Sequence, residues 1–322
     1  MQRRLGLASV CALALALVAA AAVAQRRSTP HGYAMAEDED LRFVLHDRPV
    51  KVVVLAGSIG AYPDMPYARL LHQWCGRAEI RNLSAVGQGS YQLYERFRAR
   101  VLEAPRMPLG VDGVEMWLLY HGGMNSVGNP TLTNRYIRST FVLAHRRGVR
   151  VAALSLTPWG EDDDAERWAG TNALRSLRNT RTVVDFVLGR LAPREALGEL
   201  RATREVEPDH PWVDRERPDI AIDVYDSRLR DRDAETRDVE RMRAMLARDS
   251  RWRRSVEGLD ERAREERLSS DARLLADAPR WWMRHEYRGF DDVHPNRDGH
   301  HVIAQTACPR LPESWGCACP QQ

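Results

Sequence analysis

From residue 51 onward, short runs of β-branched and aliphatic residues alternate with segments of helical spacing, and few folds accept that order. Residues 51–56 read Lys-Val-Val-Val-Leu-Ala. After its first residue this is an unbroken apolar run, as a parallel strand buried on both faces requires. Gly57-Ser58-Ile59-Gly60 then turns the chain, and residues 63–74 show helical spacing with Pro in the first turn. Residues 79–83, 114–120, 149–156 and 220–224 supply four further strands. Helices are expected over 91–102, 134–147 and 165–191. The rhythm predicts an α/β fold, a mostly parallel sheet with helices on both faces. Such sheets bind ligands beyond the carboxyl ends of their strands, so the residues just after each strand are the ones to inspect.

Residues 228–278 break the rhythm. They are dense in Arg, Asp and Glu and poor in aliphatics, with Val239, Met242 and Leu246 at helical spacing. The expectation is a solvated helical insertion held by ion pairs along its faces; a lid over the site is the sharper alternative. Trp281 and Trp282 at its far end are expected to pack. With 43% hydrophobic and 29% charged residues over 322 positions, the chain is too polar for a multi-span membrane protein and too apolar for a disordered one. The net charge is +3, and falls to +1 without Arg3 and Arg4. The arginines are interleaved with acids, which argues against nucleic acid as a partner.

Arg3 and Arg4, an apolar run over 5–23 and the small-x-small triplet Ala22-Val23-Ala24 have the layout of a secretory signal. Cleavage is expected after Ala24. Residues 1–24 are thus an address, 25–50 an arm, and 51–322 one domain containing the 228–278 insertion. The mature protein is expected to be secreted or periplasmic, without stable membrane insertion. Cys11 leaves with the signal, and Cys75, Cys308, Cys317 and Cys319 remain. One residue between Cys317 and Cys319 disfavours their pairing. Cys75 is therefore expected to join one of them and Cys308 the other. A zinc site with His300 or His301 is the weaker alternative, because no Cys-x-x-Cys pair is present.

Four strand-end positions carry candidate chemistry. Ser58 stands on a Gly-flanked turn after the first strand, where a nucleophilic hydroxyl can be exposed. Gly87 lies in the loop after the second strand and offers a backbone N–H; Gly89 is a second candidate. Asn125 follows the third strand with an amide that can donate. Asp291 precedes His294 by three residues, a spacing that lets the carboxylate hold one imidazole nitrogen while the other faces the serine. Together these form a nucleophile, a base with its orienter, and an oxyanion hole from Ser58, Gly87 and Asn125. Each alone has a bland explanation as a turn, a capped loop or a chance spacing. Their order along successive strand ends is what makes the case.

With these residues in view, the chain resembles the SGNH hydrolases, the GDSL-type lipases and esterases. Asp291-Asp292-Val293-His294-Pro295-Asn296-Arg297-Asp298-Gly299-His300 fits that family's last block, Asp-x-x-His-Pro-Asn-x-x-Gly-His. Asn82, Ser84 and Gly87 are similar to its second block, and Gly123 and Asn125 to its third. Thr157-Pro158-Trp159 is similar as well. The resemblance covers about 51–304 and departs twice: Ala56-Gly57-Ser58 stands for Gly-Asp-Ser, and Ser126 replaces the acid after Asn125. It implies a three-layer α/β/α domain with a flavodoxin-like five-stranded sheet. It also implies a serine ester hydrolase, with Ser58, His294 and Asp291 catalytic, no metal and no cofactor. The implied substrate is a small-molecule or glycan acyl ester. An O-acyltransferase acting on envelope or secreted polysaccharide and a non-catalytic envelope binding protein are the alternatives.

Overall fold

The computed structural model describes residues 34–35, 43–44, 46–104, 107–161, 165–198 and 213–321. The expected signal segment, 1–24, lies outside the described residues, as does most of the expected arm. Ala34–Met35 form a two-residue strand. The remaining strands are β1 (Val50–Ala56), β2 (Ala78–Asn82), β3 (Glu115–His121), β4 (Arg150–Leu154) and β5 (Ile220–Ile222). They pair in the order β2-β1-β3-β4-β5, every pairing parallel. This is the flavodoxin-like order, with its switch point between β1 and β3. All seven residues of β1 are buried, as a central strand covered on both faces must be.

Period two decides which side chain goes to which face. Val53 and Leu55 of β1, Leu118 and Tyr120 of β3, and Val151 and Ala153 of β4 point into one core. There they meet Phe97 of α2 (Ser90–Phe97), Ile137 and Phe141 of α3 (Pro130–Arg146), and Val183 and Val187 of α5 (Gly170–Val187). The other face is covered by α1 (Tyr67–Trp74), which packs on α10 (Arg297–Ala307).

Helix ends depart from the expected ones for local reasons. Helix α1 begins at Tyr67 rather than residue 63, because Pro66 caps it in an extended conformation. Helix α3 begins at Pro130 rather than residue 134, with the Asn129 side chain accepting the Leu132 N–H and Pro at the first position. The single helix expected over 165–191 is two: α4 (Ala165–Trp168) and α5, parted at Ala169, with Gly170 at φ +54°. A short helix, α6 (Pro193–Leu197), follows.

The insertion holds three helices, α7 (Val239–Arg248), α8 (Ser250–Ser255) and α9 (Glu261–Ala276). Asp238, Asp249 and Asp260 each cap one of them by accepting its first backbone N–H groups. The expectation of a merely solvated, ion-paired segment needs correction. Arg243–Glu265 and Arg262–Glu266 do pair on its surface. Yet Met242, Leu246, Trp252, Val256 and Leu275 are buried against Trp159, Trp168 and Trp282 in a second apolar core. Few aliphatics suffice because indoles from outside the insertion fill the space. The buried Asp271 receives Arg178, Arg267 and the Trp252 indole N–H.

Cys75 is bonded to Cys317 and Cys308 to Cys319. Among the described residues no helix is long and apolar enough to cross a membrane.

Candidate active site

Parallel pairing brings the carboxyl ends of β1, β2 and β3 to one edge. Ser58 follows β1, where Ala56 lies in register with His121 at the end of β3. The turn needs its glycines. A Cβ on Gly60 would sit 2.4 Å from Ser84 Oγ, and one on Gly57 would sit 2.9 Å from Asn125 Nδ2. The first departure from the family pattern therefore has a local consequence: with no side chain at 57, the Asn125 amide approaches the nucleophile turn closely.

The segment with Asp291 and His294 comes from the far end of the chain, between the insertion and α10. Its backbone is pinned on both sides. Gly289 N–H donates to His294 O at 2.7 Å and Asn296 N–H to Tyr287 O at 2.8 Å. Asn296 caps α10, accepting the Gly299 N–H at 2.9 Å. Gly299 is small because a Cβ there would meet Tyr287 O at 2.8 Å. His300 is buried and stacks on Tyr62 at 4.4 Å between ring centroids. Asp292 O accepts the Gly160 N–H at 3.0 Å, tying the segment to the loop after β4.

These constraints bring residues 236 positions apart into contact: His294 Nε2 lies 2.8 Å from Ser58 Oγ. His294 Nδ1 lies 2.8 Å from Asp291 Oδ2 and 2.9 Å from Oδ1. Asp291 Oδ1 also accepts the N–H groups of Val293, at 2.9 Å, and His294, at 2.7 Å. Partial burial pushes the Asp291 carboxyl up, but the hydrogen bonds from the His294 backbone and ring and from Val293 outweigh it. Its net position is below the ordinary carboxylate range, so it stays ionised and can hold an imidazolium.

Asn125 follows Gly123, whose φ of +118° turns the chain into a short 3-10 segment over Met124–Ser126. Its amide is exposed and donates to Gln88 O at 3.1 Å. Ser126, at the second departure from the family pattern, joins this loop to α2: its Oγ accepts the Ser90 N–H at 3.1 Å. Gly87 is exposed with φ +75°, a conformation that favours glycine. Gly89 instead is buried, and a Cβ there would meet Ser126 Cβ at 3.1 Å. Beside Ser58 is a hollow of about 10 Å³, lined by Gly57, Gln88, His121, Met124, Asn125 and Leu156 among others. Gly87 does not line it, although its neighbour Gln88 does. Among the described residues, none of 228–278 lines it either.

No protein-family model matches the chain, and no curated protein matches it. Solved structures do. One is an acetyl xylan esterase, 13% identical, covering 81% of this chain and 100% of its own, with TM-score 0.44. Another is a GDSL-like lipase from Bacteroides thetaiotaomicron, 15% identical, covering 80% of this chain and 84% of its own, with TM-score 0.37. A lipase/acylhydrolase from Enterococcus faecalis is 11% identical, covering 84% and 99%, with TM-score 0.40. These are distant likenesses.

Two residues at the site carry no role in the sequence reading. His121 is buried at the end of β3, edge-on to the Tyr67 ring, and burial lowers it to about 4, with the Ser155 backbone opposing the shift. Phe290, the residue before Asp291, stacks on His294. Both contacts join segments far apart in sequence or depend on a side-chain direction, and neither has a motif.

Proposed function

We propose that this chain is an exported serine ester hydrolase acting on a short-chain or carbohydrate O-acyl ester. The observation that carries the reading is the unbroken line from Ser58 Oγ through His294 to Asp291, with 2.8 Å at each link. In this mechanism His294 Nε2 takes the Ser58 proton as Oγ attacks the ester carbonyl carbon. The negative charge that develops on the carbonyl oxygen is met by the N–H groups of Ser58 and Gly87 and by the Asn125 amide. The amide reaches it by exchanging its bond to Gln88 O for one to the oxyanion. Asp291 holds the imidazolium in orientation and offsets its charge. His294 then returns the proton to the leaving alcohol as the C–O bond breaks. In the second half, His294 takes a proton from water, which attacks the acyl-serine, and gives it back to Oγ as the acid departs. Every step uses protein groups and water alone. Export is supported by the signal-like start of the sequence and by the two disulfides, which persist in oxidising compartments.

The test is a 4-nitrophenyl ester panel, from acetate to palmitate, on the mature chain and its Ser58→Ala variant. Release is expected from the shorter esters, with turnover in Ser58→Ala reduced by about 10⁴-fold or more, as loss of a unit nucleophile does. Equal release by the variant would remove Ser58 from the chemistry and sink the reading.

A further inference from the structure

Among the exposed large apolar side chains of the described residues, the two most exposed are Phe290, at 85%, and Val86, at 77%. A single exposed apolar side chain is ordinary and needs no explanation. These two are not scattered. Phe290 directly precedes Asp291, and Val86 directly precedes Gly87, so both stand on loops that carry the proposed machinery. The Phe290 ring lies nearly parallel to the His294 imidazole, 4.7 Å between centroids and 20° between planes. At 85% exposure the rest of the ring is open to water, and it contributes little to any core.

Geometry narrows what such a ring could meet. The leaving oxygen of an ester must come within about 3 Å of the nitrogen that protonates it, here His294 Nε2. The carbon skeleton on that oxygen then runs alongside whatever flanks the imidazole, and Phe290 flanks it. The hollow beside Ser58 offers no alternative for bulk: about 10 Å³ is the space of roughly one water. A ring in the substrate therefore has to lie outside it, over the rim.

We propose that Phe290 is a specificity-determining residue, an aromatic platform for the leaving alcohol. It selects alcohols that present a flat apolar face, either the C–H face of a sugar ring or an aryl ring. The proposal rests on the ester-hydrolase reading above. Aromatic contacts of this kind favour one partner over another by roughly two- to tenfold.

Three esters of one acid test it: ethyl acetate, phenyl acetate and an O-acetylated methyl glycoside. The mature chain is compared with Phe290→Ala and Phe290→Trp, reading kcat, KM and the pH profile for each ester. In Phe290→Ala the ratio of kcat/KM for a ring alcohol to that for ethanol is expected to fall about five- to tenfold, mostly through KM. Phe290→Trp is expected to restore it. A fall confined to the phenyl ester assigns the platform to aryl alcohols, and one confined to the glycoside assigns it to sugars. Equal losses for all three esters with a displaced pH profile would mean that the ring only positions His294, and would overturn the proposal; unchanged ratios would do the same. If the parent chain releases acid from none of the three in a Ser58-dependent way, the ester-hydrolase reading fails and the platform with it. That outcome is seen before Phe290 is altered, so the two failures are distinguishable.

Discussion

His300 and His121 are buried, and both are held neutral. His300 stacks on Tyr62, and burial, with the charges of His121 and His294 against it, lowers it from the ordinary 6.5 to about 3. Among the described residues neither of its ring nitrogens finds a hydrogen-bond partner. His121 is lowered to about 4, mainly by burial. Between pH 6.5 and about 4 the unfolded chain binds a proton at each position and the folded chain does not. Acidification through that window therefore costs stability, about 1.4 kcal/mol per pH unit for each histidine. Urea unfolding at pH 7.5, 6.0 and 5.0 should show the loss, and His300→Phe, which keeps a flat ring beside Tyr62, should reduce its slope. An identical slope in that variant would show that His300 is not the group being titrated. At this scale the sequence makes some residues legible and hides others. Ser58 is marked by its turn, and Asp291 and His294 by their spacing. His121 and Phe290 act through ring contacts that only the folded chain creates. The Asn125–Gln88 bond is equally hidden, because it depends on the missing side chain at Gly57.

The β1–β2 pair shows what an element can conceal. Lys51, the one lysine of the chain, lies in β1 with a fully buried side chain, in register with Glu79 of β2. Its ammonium donates to Glu79 Oε2 at 2.8 Å and to Val44 O. Glu79 also takes the Arg81 guanidinium and the Val44 N–H. Removing one member of a buried pair strands the other, at about 3–5 kcal/mol. Arg81 remains in Lys51→Met, so the loss expected there is near the lower end, about 3 kcal/mol. Denaturant titration of Lys51→Met, Glu79→Leu and the double variant measures it, with the double expected to lose less than the two singles together. A loss below about 1 kcal/mol in Lys51→Met would show that Glu79 needs no ammonium. The strands themselves are legible to within two residues at either edge, most clearly β1, whose apolar run is continuous, β-branched and bounded by Pro49 and Gly57; 149–156 and 220–224 are drawn too long. Helix ends are harder, since they turn on single caps: Asn129 starts α3, and the break at Ala169–Gly170 splits α4 from α5. The insertion's core was illegible for another reason. Its own residues are too polar to announce one, and Trp159, Trp168 and Trp282 complete it from outside.

At the scale of the whole molecule, the C-terminal tail closes the chain onto the opposite end of the sheet from the site. It leaves α10, the helix capped by Asn296 just after His294, and runs back to α1 and β2. Trp315 is fully buried against Trp117 of β3, 5.8 Å between ring centroids. Gly76 and Arg77 N–H groups donate to Gly316 and Trp315 carbonyls at 3.1 and 3.0 Å, and Ala318 N–H donates to Trp74 O at 2.8 Å. The Cys75–Cys317 bond locks this seam across a separation of 242 residues, while Cys308–Cys319 spans 11. A cross-link stabilises mainly by shrinking the unfolded ensemble, and the effect grows with the logarithm of the loop. For these two loops the chain-entropy difference is about 2.7 kcal/mol. The double variant Cys75→Ser/Cys317→Ser should therefore lose more stability than Cys308→Ser/Cys319→Ser. Because the seam lies away from the strand ends that hold Ser58, both should keep the proposed ester-hydrolysing turnover at temperatures below their Tm. Thermal unfolding read beside initial rates at 25 °C decides the matter. Equal Tm losses would show that the packed Trp315 seam already restrains the tail without Cys317. Activity lost ahead of unfolding would show that the tail sets the position of α10, and through it of His294.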